Sequence, residues 1–186
     1  MDADGLIAAC ATGSEERAAR RAGYRTAVVG IRASRGVPAG ELVSFGVAGG
    51  LNGAPIGTVI DATRVVDETG SVLWEGEGLG VGRPGTILAM DRLVDPDELR
   101  RLHEETGANA VDMESGVLAA SGRLRGCVRA ISDTPEEPLG PLGQAVTPEG
   151  RPRPLGFLKA LVSHPTGTTR ALRNIRRALK ALEAAS

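Results

Sequence analysis

The sequence predicts an α/β fold, a single domain over residues 1–186 with a central mixed β-sheet flanked by helices. Three observations carry this. Short apolar runs alternate with segments of helical periodicity along the chain. Several strand candidates follow one another between Leu42 and Met90, which argues for a mixed sheet with hairpins rather than a regular βαβ repeat. A chain of 186 residues, 41% of them hydrophobic, is long enough to bury one real core.

The elements read as follows. Leu6–Ala11 is a short apolar run expected to be a buried strand. Thr12-Gly13-Ser14-Glu15 has capping-box spacing, and Glu16–Ala22 reads as the helix it opens, ended by Gly23. Thr26–Ile31 and Leu42–Val47 are the next strands, the latter running into Gly46-Val47-Ala48-Gly49-Gly50, expected to be a turn. Thr58–Val66 is β-branched, and Thr86–Met90 is a further strand. Pro96–Thr106 has helical periodicity, with Leu99 and Leu102 on one face and Gly107 at its end. Asn109–Val111 reads as a strand, Met113–Leu124 as a helix and Cys127–Ile131 as the last clear strand. The Pro- and Gly-rich stretch Thr134–Pro154 reads as a long loop, a mobile or functional segment rather than core. From about Thr168 to Ala184, Leu172, Ile175, Leu179 and Leu182 fall at helical spacing. Arg170, Arg173, Arg176, Arg177 and Lys180 form the opposite face of that helix. A docked or solvated helix is the plainer reading, and peripheral contact with an anionic membrane surface the alternative.

Aromatic residues make up 2% of the chain, so Ala, Val, Leu and Ile must build the core. The same scarcity argues against a base-stacking surface, and a net charge of −1 gives no sign of a nucleic-acid partner. Cys10 and Cys127 lie in apolar runs without metal-ligand spacing, which suits buried thiols in a reducing cytoplasm. His103 and His164 stand alone, so solvated or capping roles are the default, and no metal or other cofactor is expected. Met1–Asp4 carries two acids and no basic segment, so no leader is expected. No apolar run approaches the roughly 20 residues of a membrane span.

Two carboxylates stand out. Glu114 lies at a predicted helix start, where its ordinary role is to complement the helix dipole. In Asp112-Met113-Glu114 an apolar side chain sits between two acids, a pattern in which Met packs on a sugar face while a carboxylate accepts from paired hydroxyls. Asp133 follows Ser132 at a strand end, where ligands of open α/β sheets bind; its plainer reading is a turn aspartate before Pro135. Partial burial there would raise its pKa and make it a proton donor. Glu15 and Glu16 follow the first strand, either as helix N-terminal charge or as a base that deprotonates water.

Ser44-Phe45-Gly46-Val47-Ala48-Gly49-Gly50-Leu51, Ile56-Gly57-Thr58-Val59-Ile60, Val111-Asp112-Met113-Glu114 and Arg129-Ala130-Ile131-Ser132-Asp133 occur in that order. Together they resemble the purine nucleoside phosphorylase/nucleosidase superfamily, in the branch of methylthioadenosine/adenosylhomocysteine nucleosidases. The octapeptide, Thr106-Gly107-Ala108 before Asp112-Met113-Glu114-Ser115, and His164-Pro165 before the basic helix are most similar to the hopanoid-associated phosphorylase group, which resembles adenosylhopane nucleosidase. The resemblance implies a three-layer nucleoside phosphorylase-like architecture and a cytoplasmic homo-oligomer, with a small-molecule nucleoside as its partner. It also implies roles. Glu114 would bind the ribose 2′- and 3′-hydroxyls and Met113 would pack on the sugar. Asp133 would protonate purine N7, oriented by Ser132. Glu16 best matches the water-activating acid, with Glu15 the alternative. Val47, Ala48 and Gly49 would line base and ribose. Phosphorylases of the superfamily hold phosphate with an arginine and a hydroxyl near the glycine segment. Here those places match Ser44 and Val47; Val47 offers no hydroxyl and the arginine is missing unless Arg32 or Arg35 supplies it, so water is the expected nucleophile. A phosphorylase and a non-catalytic nucleoside-binding protein are the alternatives. The segments before the glycines and between Glu114 and Arg129 are short for the family, which implies an open site.

Overall fold

A computed structural model describes residues 5–140, 142, 147, 149–151, 153 and 163–185. In chain order the elements are β1 (Ile7–Cys10), α1 (Gly13–Arg21), β2 (Arg25–Val28), a 3-10 turn (Ile31–Ala33), β3 (Leu42–Gly50), β4 (Val59–Val66), β5 (Val72–Glu75), β6 (Arg83–Ala89), α2 (Pro96–Thr106), β7 (Ala110–Asp112), α3 (Ser115–Ala120), β8 (Leu124–Asp133) and α4 (Pro165–Ala184). All eight strands form one mixed sheet. β1 lies parallel to β2 and β3, and β3 parallel to β8. β8 runs antiparallel to β4, β4 parallel to β6, β6 parallel to β7, and β7 antiparallel to β3. Five strands therefore close a ring, with β1 and β2 extending it on one side and β5 on the other. Closure leaves fewer open edges, and it brings the C-terminal ends of β1, β3 and β8 together.

Helices cover the sheet on both faces. Ala18 and Ala19 of α1 and Ala178 and Leu182 of α4 pack against Val43, Phe45, Val128 and Ala130. Leu118 and Ala119 of α3 share the opposite cluster with Leu42, Cys127 and Ile131. Alternation along each strand explains the division, since neighbouring residues point to opposite faces. Leu99 and Leu102 of α2 bury against Val66, Leu88 and Met90, as their spacing predicts. Both cysteines are free and buried, and burial pushes the Cys127 thiol up to about 12.

Several elements differ from expectation. Gly46–Gly50 is not a turn but the second half of β3, and none of its glycines has a positive φ. They are glycines because other groups occupy the space of a side chain. A Cβ on Gly50 would lie 3.0 Å from Ile131 Cγ2, and one on Gly49 3.3 Å from Asp133 Oδ2. β8 begins at Leu124, three residues earlier than its apolar run suggested, because its start pairs with Leu42 of β3. α3 is correspondingly short. β5 was not foreseen: Val72 and Leu73 are exposed, so it lacks the apolar signature of a buried strand. The expected loop Thr134–Pro154 lies partly outside the described residues; Thr134–Gly140 carries no strand. α4 starts at Pro165 and is docked on the protein, with Ala171, Ala178 and Leu182 buried while the five basic residues stay exposed. Among the described residues, no helix is long and apolar enough to cross a membrane.

Candidate functional site

A cavity of about 280 Å³ opens beside the C-terminal ends of β1, β3 and β8, close to the lower size limit of small-molecule sites, roughly 300 Å³. Glu15, Asp112, Glu114 and Asp133 all line it, with Val47, Ala48, Gly49, Met113 and Ser132. Glu16 does not.

The first turn of α1 explains which of the two glutamates enters. Thr12 is the N-cap and Glu15 the third helical residue, and both halves of the capping box form. That folds the Glu15 side chain back toward β1. Its Oε2 accepts from Thr12 N–H at 2.8 Å and Oε1 from Val47 N–H at 2.9 Å. Glu16 is rotated about 100° further around the helix. It pairs instead with Arg20 at 2.7 Å and accepts from the Thr26 hydroxyl at 3.3 Å. Of the two candidate acids, Glu15 lines the cavity and Glu16 does not.

Beneath the cavity lies Arg129, 1% exposed, which sequence reasoning gave no role. Its Nε donates to Asp112 Oδ2 at 2.7 Å and its Nη2 to Ser44 Oγ at 2.6 Å; Nη2 also contacts Asp112 Oδ2. Glu114 Oε2 is 3.7 Å from the same nitrogen. The strand register puts Gly46 directly opposite Arg129. A Cβ on Gly46 would clash with Glu15 Oε1 and lie 2.6 Å from Arg129 Nη1, so glycine here leaves room for the carboxylate and the guanidinium that flank it. An arginine inside an otherwise apolar strand was the available signal, because a buried cation requires a partner.

One guanidinium thus faces three carboxylates. Glu114, at the N-cap of α3, makes no capping bond; Asp112 takes that part by accepting from Ser115 N–H at 3.1 Å. This frees Glu114 to turn inward, where Oε1 accepts from Arg32 N–H at 3.1 Å. Its ordinary reading as a dipole partner in the first turn is therefore not what the fold uses. Arg32 presents that N–H from an unusual left-handed backbone with φ of 57°. Burial pushes the Glu114 carboxyl up to about 8, helped by Asp112 and opposed by Arg129.

Asp133 closes β8. Its Oδ1 accepts from Ser132 Oγ at 2.7 Å, and burial raises its pKa despite that bond. It does not cap the following turn; Thr134 does, its hydroxyl accepting from Glu137 N–H at 3.2 Å. A carboxyl whose pKa burial raises and an anion-rich cluster on one cavity can handle a proton and a developing positive charge separately.

The remaining wall came from places the sequence did not mark. Leu93 and Val94 follow β6, Leu139 and Leu142 follow β8, and Ile175 and Leu179 come from α4. The open site implied by the short segments is thus walled by α4. Arg32 and Arg35 are exposed and neither side chain lines the cavity, whereas Arg92, which pairs with Glu98 at 2.6 Å, does. Among the described residues, no group of three or more His, Cys, Asp or Glu could hold a metal ion.

No protein-family model matches the chain, and no curated protein sequence does. Solved structures do. A mutant of Helicobacter pylori MTAN with 5′-methylthioadenosine in its active site aligns over 95% of this chain and 99% of its own, at 16% identity and a TM-score of 0.53. Campylobacter jejuni 5′-methylthioadenosine/S-adenosyl homocysteine nucleosidase covers 97% of this chain and 99% of its own, at 15% identity and a TM-score of 0.54. A futalosine hydrolase mutant of Helicobacter pylori covers 93% and 98%, at 15% identity and a TM-score of 0.52. The mixed sheet with flanking helices is the fold of these proteins.

Proposed function

We propose that the protein is a nucleosidase that hydrolyses the N-glycosidic bond of a 5′-substituted adenosine and releases adenine. The supporting observation is the convergence of Glu15, Glu114 and Asp133 on one cavity above a single buried arginine. In this reading Glu114 accepts from the ribose 2′- and 3′-hydroxyls, and Met113 packs on the sugar. Glu15 takes a proton from water as its oxygen bonds to C1′. The C1′–N9 bond breaks, its electron pair leaves with the base, and Asp133 gives its proton to N7. Positive charge develops on the ribose, and the excess of carboxylates over cations stabilises it. Val47, Ala48 and Gly49 line base and ribose, and Ser132 orients Asp133.

The finer reading is a bulky lipid-linked 5′ group such as that of adenosylhopane. Leu139, Leu142, Ile175 and Leu179 support it by offering an apolar wall, and the motif resemblance points the same way. The exposed basic face of α4 would then contact an anionic membrane surface, in a cytoplasmic homo-oligomer.

The test is purine release from a panel of 5′-substituted adenosines, with and without phosphate. Release without phosphate is expected, and Glu15→Gln should lower kcat by about 10²- to 10⁴-fold while Glu16→Gln leaves it unchanged. Release only with phosphate would replace this reading by a phosphorylase. Nucleoside binding with no release under any condition would leave a binding protein.

The raised Glu114 carboxyl gives binding a pH dependence. The raised pKa favours the protonated form in the free protein, whereas hydroxyl donors favour the carboxylate, so binding should expel a proton. Affinity for the nucleoside should therefore rise as pH climbs toward about 8 and level off above. Calorimetry in buffers of different ionisation heat would count the proton released. Glu114→Gln should abolish the release; an unchanged count in that variant would assign the proton elsewhere.

A further inference from the structure

We propose that the Thr12 side chain is a positioning residue for the Glu15 carboxylate, so that the N-cap of α1 serves the water-activating step; this rests on the nucleosidase reading above. An N-cap hydroxyl ordinarily accepts from helix N–H groups. Thr12 does so only at length, with Glu15 N–H 3.4 Å from Oγ1. Its shorter contact is to the carboxylate itself, from Oγ1 to Glu15 Oε2 at 2.9 Å.

The directions of these bonds follow from counting protons. A hydroxyl has one proton and two lone pairs, and an ionised carboxylate only accepts. Thr12 O–H therefore donates to Oε2. Its lone pairs accept from Glu15 N–H and from the Ser14 hydroxyl, 2.9 Å away. The capacity of Thr12 Oγ1 is then fully used.

The carboxylate is held from two elements at once. Thr12, on the segment joining β1 to α1, holds Oε2 through its N–H and O–H; β3 holds Oε1 through Val47 N–H. Fixing both oxygens sets the plane of a side chain that otherwise has three rotatable bonds. Thr12 and Ser14 also line the cavity, so this clamp is part of the wall that the attacking water meets. A base has to sit within about 2.6–3.2 Å of the atom whose proton it takes. Removing the hydroxyl leaves Oε2 only its bond to Thr12 N–H, so the carboxylate is held less firmly, and no group that touches substrate at the ribose or the base is lost.

The experiment measures kcat and KM for purine release by wild type, Thr12→Val, Thr12→Gly and Thr12→Ser, with melting temperature alongside. Thr12→Gly separates the two roles, because glycine is itself a favoured N-cap residue without a hydroxyl. Thr12→Val and Thr12→Gly should lower kcat by about 10- to 100-fold with KM within about twofold, and Thr12→Ser should recover kcat to within about threefold. A purely structural cap would lower the melting temperature of Thr12→Val and leave kcat unchanged in all three variants. That outcome, with wild type active, overturns the role of Thr12 and spares the proposed function. Absence of release by wild type overturns the function, and this role with it.

Discussion

Asp133→Asn is expected to lower kcat for purine release by about 10²- to 10⁴-fold, the usual worth of a positioned general acid. Asparagine preserves the shape of the side chain and can still meet Ser132 Oγ, now 2.7 Å from Oδ1, but it has no proton to give to N7. Binding of the nucleoside should survive. Because burial raises the pKa of Asp133, the competent protonated form is lost as pH rises, so wild-type kcat should fall toward alkaline pH. The substitution should remove that descending limb along with the activity. Wild-type rates in Asp133→Asn would exclude the residue as the proton donor. Equal inactivity of wild type and variant, with ligand still bound, would exclude an enzyme.

The second large effect is on stability. Arg129→Met should destabilise the fold by about 3–5 kcal/mol, because removing one partner of a buried ion pair strands the other. Arg129 and Asp112 side chains are each 1% exposed, so solvent cannot take over the lost contact. Ser44 Oγ loses its donor as well. Denaturant unfolding would measure the loss, and adding Asp112→Asn to Arg129→Met should recover part of it. A change below about 1 kcal/mol would mean that water or a rearranged neighbour satisfies Asp112. Activity should fall too, since Arg129 also lies beside Glu15 and Glu114.

Asp133 and Arg129 are unequally legible in the chain. Asp133 was marked by its place at the end of an apolar run, and it does end β8 facing the cavity. The capping-box spacing of Thr12 and Glu15 was equally local, and both of its bonds form. What spacing left open was which of two adjacent glutamates enters. That depends on the helix phase, which the cap sets, and on where β3 offers an N–H, which only the packed sheet decides. Gly46, Gly49 and Gly50 read as a turn for a related reason. In sequence, a glycine needed for close approach looks the same as one needed for a turn. Only the neighbours reveal the difference, and here they are Glu15, Arg129, Asp133 and Ile131.

The α/β class, the aliphatic core and the order of the acidic motifs are legible in the chain alone, because periodicity and capping act over a few residues. The closure of the sheet, the burial of Arg129 near three carboxylates and the docking of α4 as a wall of the cavity depend on packing between distant segments. These arise between segments as far apart as Glu15 and Leu179, where the fold, and not local preference, sets the distance. The charge balance of the candidate site belongs to the second group, since it exists only once β1, β3, β7 and β8 have brought their ends together.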